Sequence, residues 1–165
     1  MKILVVGSGG REHAIAWQLI SQGADVWLAP GNGGTAPNVP LQALDLAGLA
    51  DFAARERVDL TIVGPEAPLA AGLVDQFAAR GLKAFGPTRE AARLEWSKAW
   101  TKDFLRRHRI PTGAAEVVDS EVGARSVVAR LGLPIVLKAD GLAAGKGVFV
   151  VTHPEQLAPA LDQLF

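Results

Sequence analysis

With 165 residues, 49% of them apolar and 21% charged, the chain has the balance of a folded protein made of one ordinary domain or two small ones. Its 17 basic residues are cancelled by 17 acidic ones, so no net field favours nucleic acid or an anionic membrane, and any phosphate must be held by local geometry. The lack of cysteine excludes disulfides, thiolate metal sites and a cysteine nucleophile. No stretch is apolar for long enough to make a signal peptide or a membrane span, and the expected compartment is the cytoplasm.

Short apolar runs alternate with helical patterns from the first residue. Ile3–Val6 reads as a strand, followed by a glycine turn and a helix from about Arg11 to Gln22. Asp25–Leu28 is a second strand that ends in a glycine loop, and Leu46, Leu49, Ala50 and Ala53 mark a helical face. Leu60–Val63 is a third strand. Leu69, Ala70, Leu73, Val74, Phe77 and Ala78 then recur at the helical period, and Lys83–Phe85 returns as a strand. Strand–helix–strand alternation at this spacing predicts an α/β fold, a parallel sheet covered by helices on both faces. Right-handed crossovers place the loops after the strands along one edge, where such folds bind ligands.

A long helix is expected from Thr88, its N-cap, to Pro111, with Ala92, Trp96, Trp100 and Phe104 four apart as the buried stripe. Lys98 and Lys102 lie one turn apart off that stripe, the ordinary pattern of a solvated face. The alternation then restarts with a strand near Ala114–Val118, a helix near Glu121–Leu131, strands Ile135–Lys138 and Val148–Val151, and a last helix from Pro154 to Phe165. The expected organisation is therefore residues 1–87, a linking helix over 88–111, and a second unit over 112–165 that is too short to bury much core alone.

Four loops can carry chemistry. The first, Gly7-Ser8-Gly9-Gly10-Arg11-Glu12-His13, invites a dinucleotide reading, but Glu12 stands where the third glycine of that fingerprint is needed. The second strand also ends in Leu28-Ala29-Pro30, without the acid that would hold a ribose, and both features argue against hydride transfer to a nicotinamide cofactor. What remains is a glycine turn feeding a helix N-terminus, with N–H groups for an anion and Arg11 beside them, or simply a structural turn. The second loop, Pro30-Gly31-Asn32-Gly33-Gly34-Thr35, allows close backbone approach to a ligand or is a surface connection. The third, Gly64-Pro65-Glu66-Ala67-Pro68, is stiffened by two prolines that hold Glu66 at the ligand edge, where it could equally serve as an acid in a first helical turn. Three such loops on one edge favour a small-molecule site.

The fourth is Lys138-Ala139-Asp140-Gly141-Leu142-Ala143-Ala144-Gly145-Lys146-Gly147, between two strands and longer than a hairpin needs. Small residues around Lys146 let the backbone fold over a polyphosphate with N–H groups and an ammonium facing it. It is not a Walker A loop, because Gly147 rather than Ser or Thr follows the lysine and a strand, not a helix, comes next. The bland alternative is a mobile basic hairpin.

Taken in order, GSGGREHAIAW, PGNGGTAPN, VGPEAPLAAGLVDQF, FGPT, LEWSKAWTKDFLRRHRIPT and PIVLKADGLAAGKGVFVV resemble the phosphoribosylamine–glycine ligase (glycinamide ribonucleotide synthetase) family of the ATP-grasp group, over essentially the whole chain. The resemblance implies a Rossmann-like pre-ATP-grasp domain joined to the start of an ATP-grasp α+β domain. It implies ligation of glycine to 5-phosphoribosylamine through glycyl phosphate, with ATP and magnesium, a step of purine biosynthesis. Lys138, as catalytic cation, and Lys98 would reach the ATP phosphates, and Asp140, Gly141, Ala144, Gly145, Lys146 and Gly147 would close over them. Gly9, Gly10, Arg11, Glu12, Asn32, Gly33, Gly64, Pro65 and Glu66 would line the phosphoribosylamine side. Gly33 and Trp96 stand where the family commonly has alanine and glycine.

Family members are more than twice as long, so the resemblance also implies that the magnesium carboxylates and the adenine site lie beyond these residues. On that expectation there is no metal site here, and the chain does not turn over alone. The partners implied are glycine, 5-phosphoribosylamine and ATP, with no nucleic acid and no membrane. Two competitors remain: a non-catalytic module that binds phosphoribosyl or nucleotide ligands, and another ATP-grasp carboxylate–amine ligase.

Overall fold

A computed structural model describes residues 1–35, 37–143 and 146–165. The chain divides into two compact units, Met1–Arg93 and Leu94–Phe165. In the first, strands β1 (Lys2–Gly7), β2 (Asp25–Pro30), β3 (Leu60–Val63) and β4 (Ala84–Phe85) form one parallel sheet in the order β2-β1-β3-β4. Central β1 is buried from Ile3 to Gly7, as an unbroken apolar run flanked by two strands requires. Ile3, Val5, Val26 and Leu28 pack with Ile15, Ala16 and Leu19 of α1 (Gly10–Ser21) on one face. Alternate residues point the other way, where Trp27 meets Phe52 of α2 (Leu46–Arg55) with ring centroids 5.3 Å apart.

Between β3 and β4 the apolar repeat from Leu69 to Phe77 is housed in two helices rather than one, α3 (Glu66–Ala71) and α4 (Leu73–Ala79). Gly72, at φ +93°, takes the left-handed conformation that ends α3, and the stripe survives the break because Leu69, Leu73, Val74 and Phe77 all remain buried.

The helix expected over 88–111 is also two, α5 (Arg89–Trp96) and α6 (Lys98–Arg107). Thr88 caps α5 as expected, its hydroxyl accepting the Ala91 N–H at 3.3 Å. Ser97 between them is extended and caps α6 by accepting the Trp100 N–H at 3.3 Å. The Thr101 hydroxyl donates to the Leu94 carbonyl across the joint at 2.8 Å. A stripe spaced by four continues across such a joint, which is why periodicity alone does not reveal it; of the stripe expected to be buried only Ala92 is, while Trp96, Trp100 and Phe104 are half-buried. Helix α6 stops at Arg107, ahead of Pro111.

The second unit adds α7 (Glu121–Leu131), the antiparallel pair β5 (Ile135–Lys138) and β6 (Val148–Val151), a 3-10 turn at Pro154–Gln156 and α8 (Leu157–Asp162). Ala124, Val128, Val151, Ala160 and Leu161 are its buried apolar residues. The strand expected near Ala114–Val118 does not form. Among the described residues β5 and β6 pair only with each other, so that segment has no ladder partner, and Glu116 instead ion-pairs with Arg130 of α7. Lys102 also departs from the solvated-face reading. Its ammonium donates to Thr112 Oγ1 at 2.7 Å and to the Gly113 carbonyl at 2.8 Å, fastening the segment after α6. No helix among the described residues is long and apolar enough to cross a membrane.

Phe77 is fully buried, so Phe77→Ala removes a large core side chain that the helices around it cannot replace. The expected loss is about 3–5 kcal/mol in urea-induced unfolding; a loss under about 1 kcal/mol would show that the α3–α4 stripe is not core.

Candidate functional site

The strand register brings three loops of the first unit to one edge. Gly7 stands opposite Pro30 and Val6 opposite Val63, so the turns after β1, β2 and β3 leave the sheet together. The backbone ladder continues into them: the Gly31 N–H donates to the Gly7 carbonyl at 3.2 Å and the Gly64 N–H to the Val6 carbonyl at 3.1 Å.

Glu12, only 4% exposed, crosses this junction. Its Oε2 accepts the Gly9 N–H at 2.8 Å, the return half of a capping box at the start of α1, and its Oε1 accepts Arg11 Nε at 3.0 Å. Three glycines admit it. A Cβ at Gly7 would lie 2.5 Å from Glu12 Cγ, one at Gly9 2.9 Å from Oε2, and one at Gly64 would run into Oε1. The room that a dinucleotide fold keeps for close helix–strand approach is taken here by a carboxylate, and neighbouring glycines make way for it.

Arg11 joins the first loop to the third. Its Nη1 and Nη2 donate to Glu66 Oε1 at 3.4 and 3.3 Å. The hydrogen bond it donates to Glu12, with Glu66 beside it, raises the guanidinium further above its usual range. Glu66 is held below the usual carboxylate range by its own backbone N–H and by Arg11, against the opposing effect of burial. Asn32 joins the first loop to the second. Its Nδ2 donates to the Ser8 carbonyl at 3.0 Å while Oδ1 accepts the Gly34 N–H at 2.8 Å. Gly10 and Gly33 border open space, since a Cβ at either would meet nothing within 4 Å. Pro65 is the residue from which α3 starts. Gly9, Gly10, Arg11, Glu12, Asn32, Gly64 and Glu66 are thus linked at one edge, with Gly33 in the turn beside Asn32.

Sequence reasoning missed three residues that brace this edge. Thr35 Oγ1 accepts the Asn32 N–H at 2.8 Å, Asn38 Nδ2 donates to the Asn32 carbonyl at 2.9 Å, and the His13 ring lies against Gly34. A polar residue three after an asparagine is a turn signal that could have found Thr35; Asn38 and His13 act through tertiary contact alone.

In the second unit the β5–β6 connection begins on the N-terminus of α6. Asp140 Oδ1 accepts the Ala99 N–H at 3.1 Å and Oδ2 accepts the Ser97 hydroxyl at 3.2 Å. Lys98 Nζ donates to the Gly141 carbonyl at 2.9 Å. Burial works to raise the Asp140 carboxyl, but the backbone N–H groups of Ala99, Gly141 and Lys98 and the Ser97 hydroxyl together hold it below its ordinary value. Lys138, at the end of β5, and Lys146 are exposed. The loop closes through Ala139 N–H to the Gly147 carbonyl at 2.7 Å and Lys146 N–H to the Ala143 carbonyl at 2.8 Å, and Gly147 is buried where a Cβ would lie 2.7 Å from that of Ala139. Ala144 and Gly145 lie outside the described residues. Such a loop offers two exposed ammonium groups beside small residues, the chemistry a polyphosphate requires. Among the described residues no group of three or more His, Asp or Glu side chains is arranged to hold a metal.

Residues 1–95 match the family model "Phosphoribosylglycinamide synthetase, N domain" and residues 96–165 match "Phosphoribosylglycinamide synthetase, ATP-grasp (A) domain". A phosphoribosylamine–glycine ligase of Allochromatium vinosum is 57% identical over 91% of this chain and 37% of its own length. That of Escherichia coli is 52% identical over 99% of this chain and 40% of its own length. The crystal structure of the Thermotoga maritima phosphoribosylamine–glycine ligase superposes with a TM-score of 0.78 at 30% identity, covering 98% of this chain and 39% of that one. The chain therefore spans about 40% of the length of the curated relatives it matches.

The packing of Glu12 against Gly64 sets up a double-mutant cycle. Gly64→Ala is expected to cost about 1–3 kcal/mol in urea unfolding, and the same change in a Glu12→Ala background at least about 1 kcal/mol less; strict additivity would contradict the packing. The lowered pKa of Asp140 gives a second test. A depressed folded pKa contributes stability that is present above the unfolded value and is lost as pH falls through the folded one. Asp140→Asn should accordingly flatten the decline of stability below about pH 4 in acid unfolding; curves that run parallel to the unsubstituted chain would refute it.

Proposed function

The chain belongs to the phosphoribosylglycinamide synthetase family, and from that premise we propose that it supplies the phosphoribosylamine loops and the phosphate loop of an ATP-dependent ligase. Glycine, 5-phosphoribosylamine and ATP are the substrates on this reading, and the setting is the cytoplasm. A glycine carboxylate oxygen attacks the γ-phosphorus of ATP, and ADP leaves, giving glycyl phosphate. The amine nitrogen of 5-phosphoribosylamine then attacks the acyl carbon; the C–N bond forms, the acyl–oxygen bond breaks, phosphate departs and the nitrogen sheds a proton. No protein nucleophile is needed, so catalysis rests on positioning and on charge held where phosphoryl oxygens develop it.

Lys138 and Lys98, with the loop Asp140-Gly141-Leu142-Ala143-Ala144-Gly145-Lys146-Gly147, take the triphosphate. Gly9, Gly10, Arg11, Glu12, Asn32, Gly33, Gly64, Pro65 and Glu66 form the phosphoribosylamine side. Magnesium, when bound, supplies neutralisation of phosphoryl oxygens; the described residues offer no full ligand set for it. The observation that carries the reading is the β5–β6 connection, anchored at Asp140 and Gly141 while Lys138 and Lys146 stay exposed, inside the stretch that matches the ATP-grasp domain.

The test is a chimera in which these 165 residues replace the matching stretch of the Escherichia coli relative. It should release ADP only when both glycine and 5-phosphoribosylamine are supplied, and Lys138→Met should lower that rate about a hundredfold or more. A chimera that binds nucleotide and phosphoribosyl ligands without turnover would instead identify a non-catalytic module.

A further inference from the structure

Asp140 spends both carboxylate oxygens on the start of α6, one on the Ala99 N–H and one on the Ser97 hydroxyl. Ser97 in turn accepts the Trp100 N–H, so two exposed donors of the helix N-terminus are satisfied by one acid–hydroxyl pair 43 residues apart in sequence. Lys98 is the first residue of that helix, and its ammonium reaches back to the carbonyl of Gly141, the residue after Asp140. The two links form a closed ring: the loop caps the helix, and the helix's first side chain holds the loop.

An ammonium has three donors and one is committed to Gly141, which leaves two for other acceptors. Gly141 sits at φ +87°, a conformation glycine reaches without strain, so the carbonyl can be presented to Lys98 immediately after the capping carboxylate. Beside this anchor the loop is closed by Ala139 to Gly147 and by Lys146 to Ala143. Its base is therefore held both by the hairpin ladder and by the α6 ring.

We propose that Asp140 is a positioning residue: by capping α6 it fixes Lys98, and through the Lys98–Gly141 bond it sets where the first residues of the loop, Asp140–Ala143, stand to meet a polyphosphate. The proposal rests on the ligase reading for the identity of that polyphosphate as ATP. It rests on the hydrogen bonds alone for the coupling between helix and loop.

Two measurements test it. In the 165-residue chain, amide hydrogen exchange at Ala139 and Lys146 reports the loop, and exchange at Ala99 and Trp100 reports the cap. Lys98→Met should speed loop exchange about tenfold with the cap amides unchanged, and Asp140→Ala should speed both, with α7 unaffected in each. Loop exchange that Lys98→Met leaves unchanged would overturn the coupling. In the chimera, Asp140→Ala should raise KM for ATP about tenfold, with KM for glycine unmoved. Asp140→Asn, which keeps an acceptor for Ala99, should recover most of that loss. An unchanged KM for ATP, or an equal rise for both substrates, would overturn the positioning role. If the unsubstituted chimera shows no turnover at all, the ligase reading fails while the exchange experiment still decides the coupling.

Discussion

A buried glutamate occupying the space of three missing side chains is the constraint on which the first unit's ligand edge depends. Glu12 touches the backbone of the first and third loops and the Arg11 that ties them, and it can do so only because positions 7, 9 and 64 carry no Cβ. A carboxylate this well buried needs hydrogen-bond partners, since an unsatisfied one would cost more than the packing returns. Gly9 and Arg11 supply them. Arg11 is thereby turned toward Glu66, and the turn after β1 is fixed against the turn after β3. Each glycine is explained by the acid, and the acid by the glycines.

The second unit solves a similar problem with the same class of device. Its glycine-rich connection has few side chains of its own to define a shape, and the definition comes from a carboxylate lodged at a helix N-terminus. That location suits an acid, because the free N–H groups and the positive end of the helix dipole both favour its charged form. In each unit an acid shapes a glycine-rich loop, and the cations remain at the surface: Arg11 is more than half exposed, and Lys138 and Lys146 are exposed.

Much of this was legible from residues alone. The limits of β3, β5 and β6 follow directly from short apolar runs bounded by turn residues, and the parallel order follows from the helices between strands. The loops at the carboxyl edge were legible for the same reason, because topology rather than side-chain detail puts them there. The breaks were not. Gly72 and Ser97 interrupt helices while the apolar stripe runs on, and periodicity records the stripe, not the hydrogen bonds beneath it. Val117 and Val118 have strand-forming side chains, but a strand needs a partner edge, which is a property of the whole sheet. The role of Glu12 was half legible: its bulk argues against a dinucleotide site, while its lodging among three glycines depends on loops over 50 residues apart meeting at one point.

Electrical neutrality gives these arrangements their significance. With 17 charges of each sign, the chain has no net field to gather an anionic ligand, so attraction must come from cations kept available at chosen points. Left to themselves, exposed lysines and arginines pair with the nearest acid, as Arg125 does with Glu121 and Arg107 with Asp103. Asp140 escapes that fate, and Glu12 does not. Glu12 is buried and accepts from the one arginine it orients, whereas Asp140 is satisfied by a helix end and a hydroxyl, so it does not neutralise Lys138 or Lys146. An acid placed among the loop lysines but committed to backbone N–H groups adds shape without quenching charge. On the proposed reading, that commitment of Asp140 leaves the charge of Lys138 and Lys146 available to phosphate.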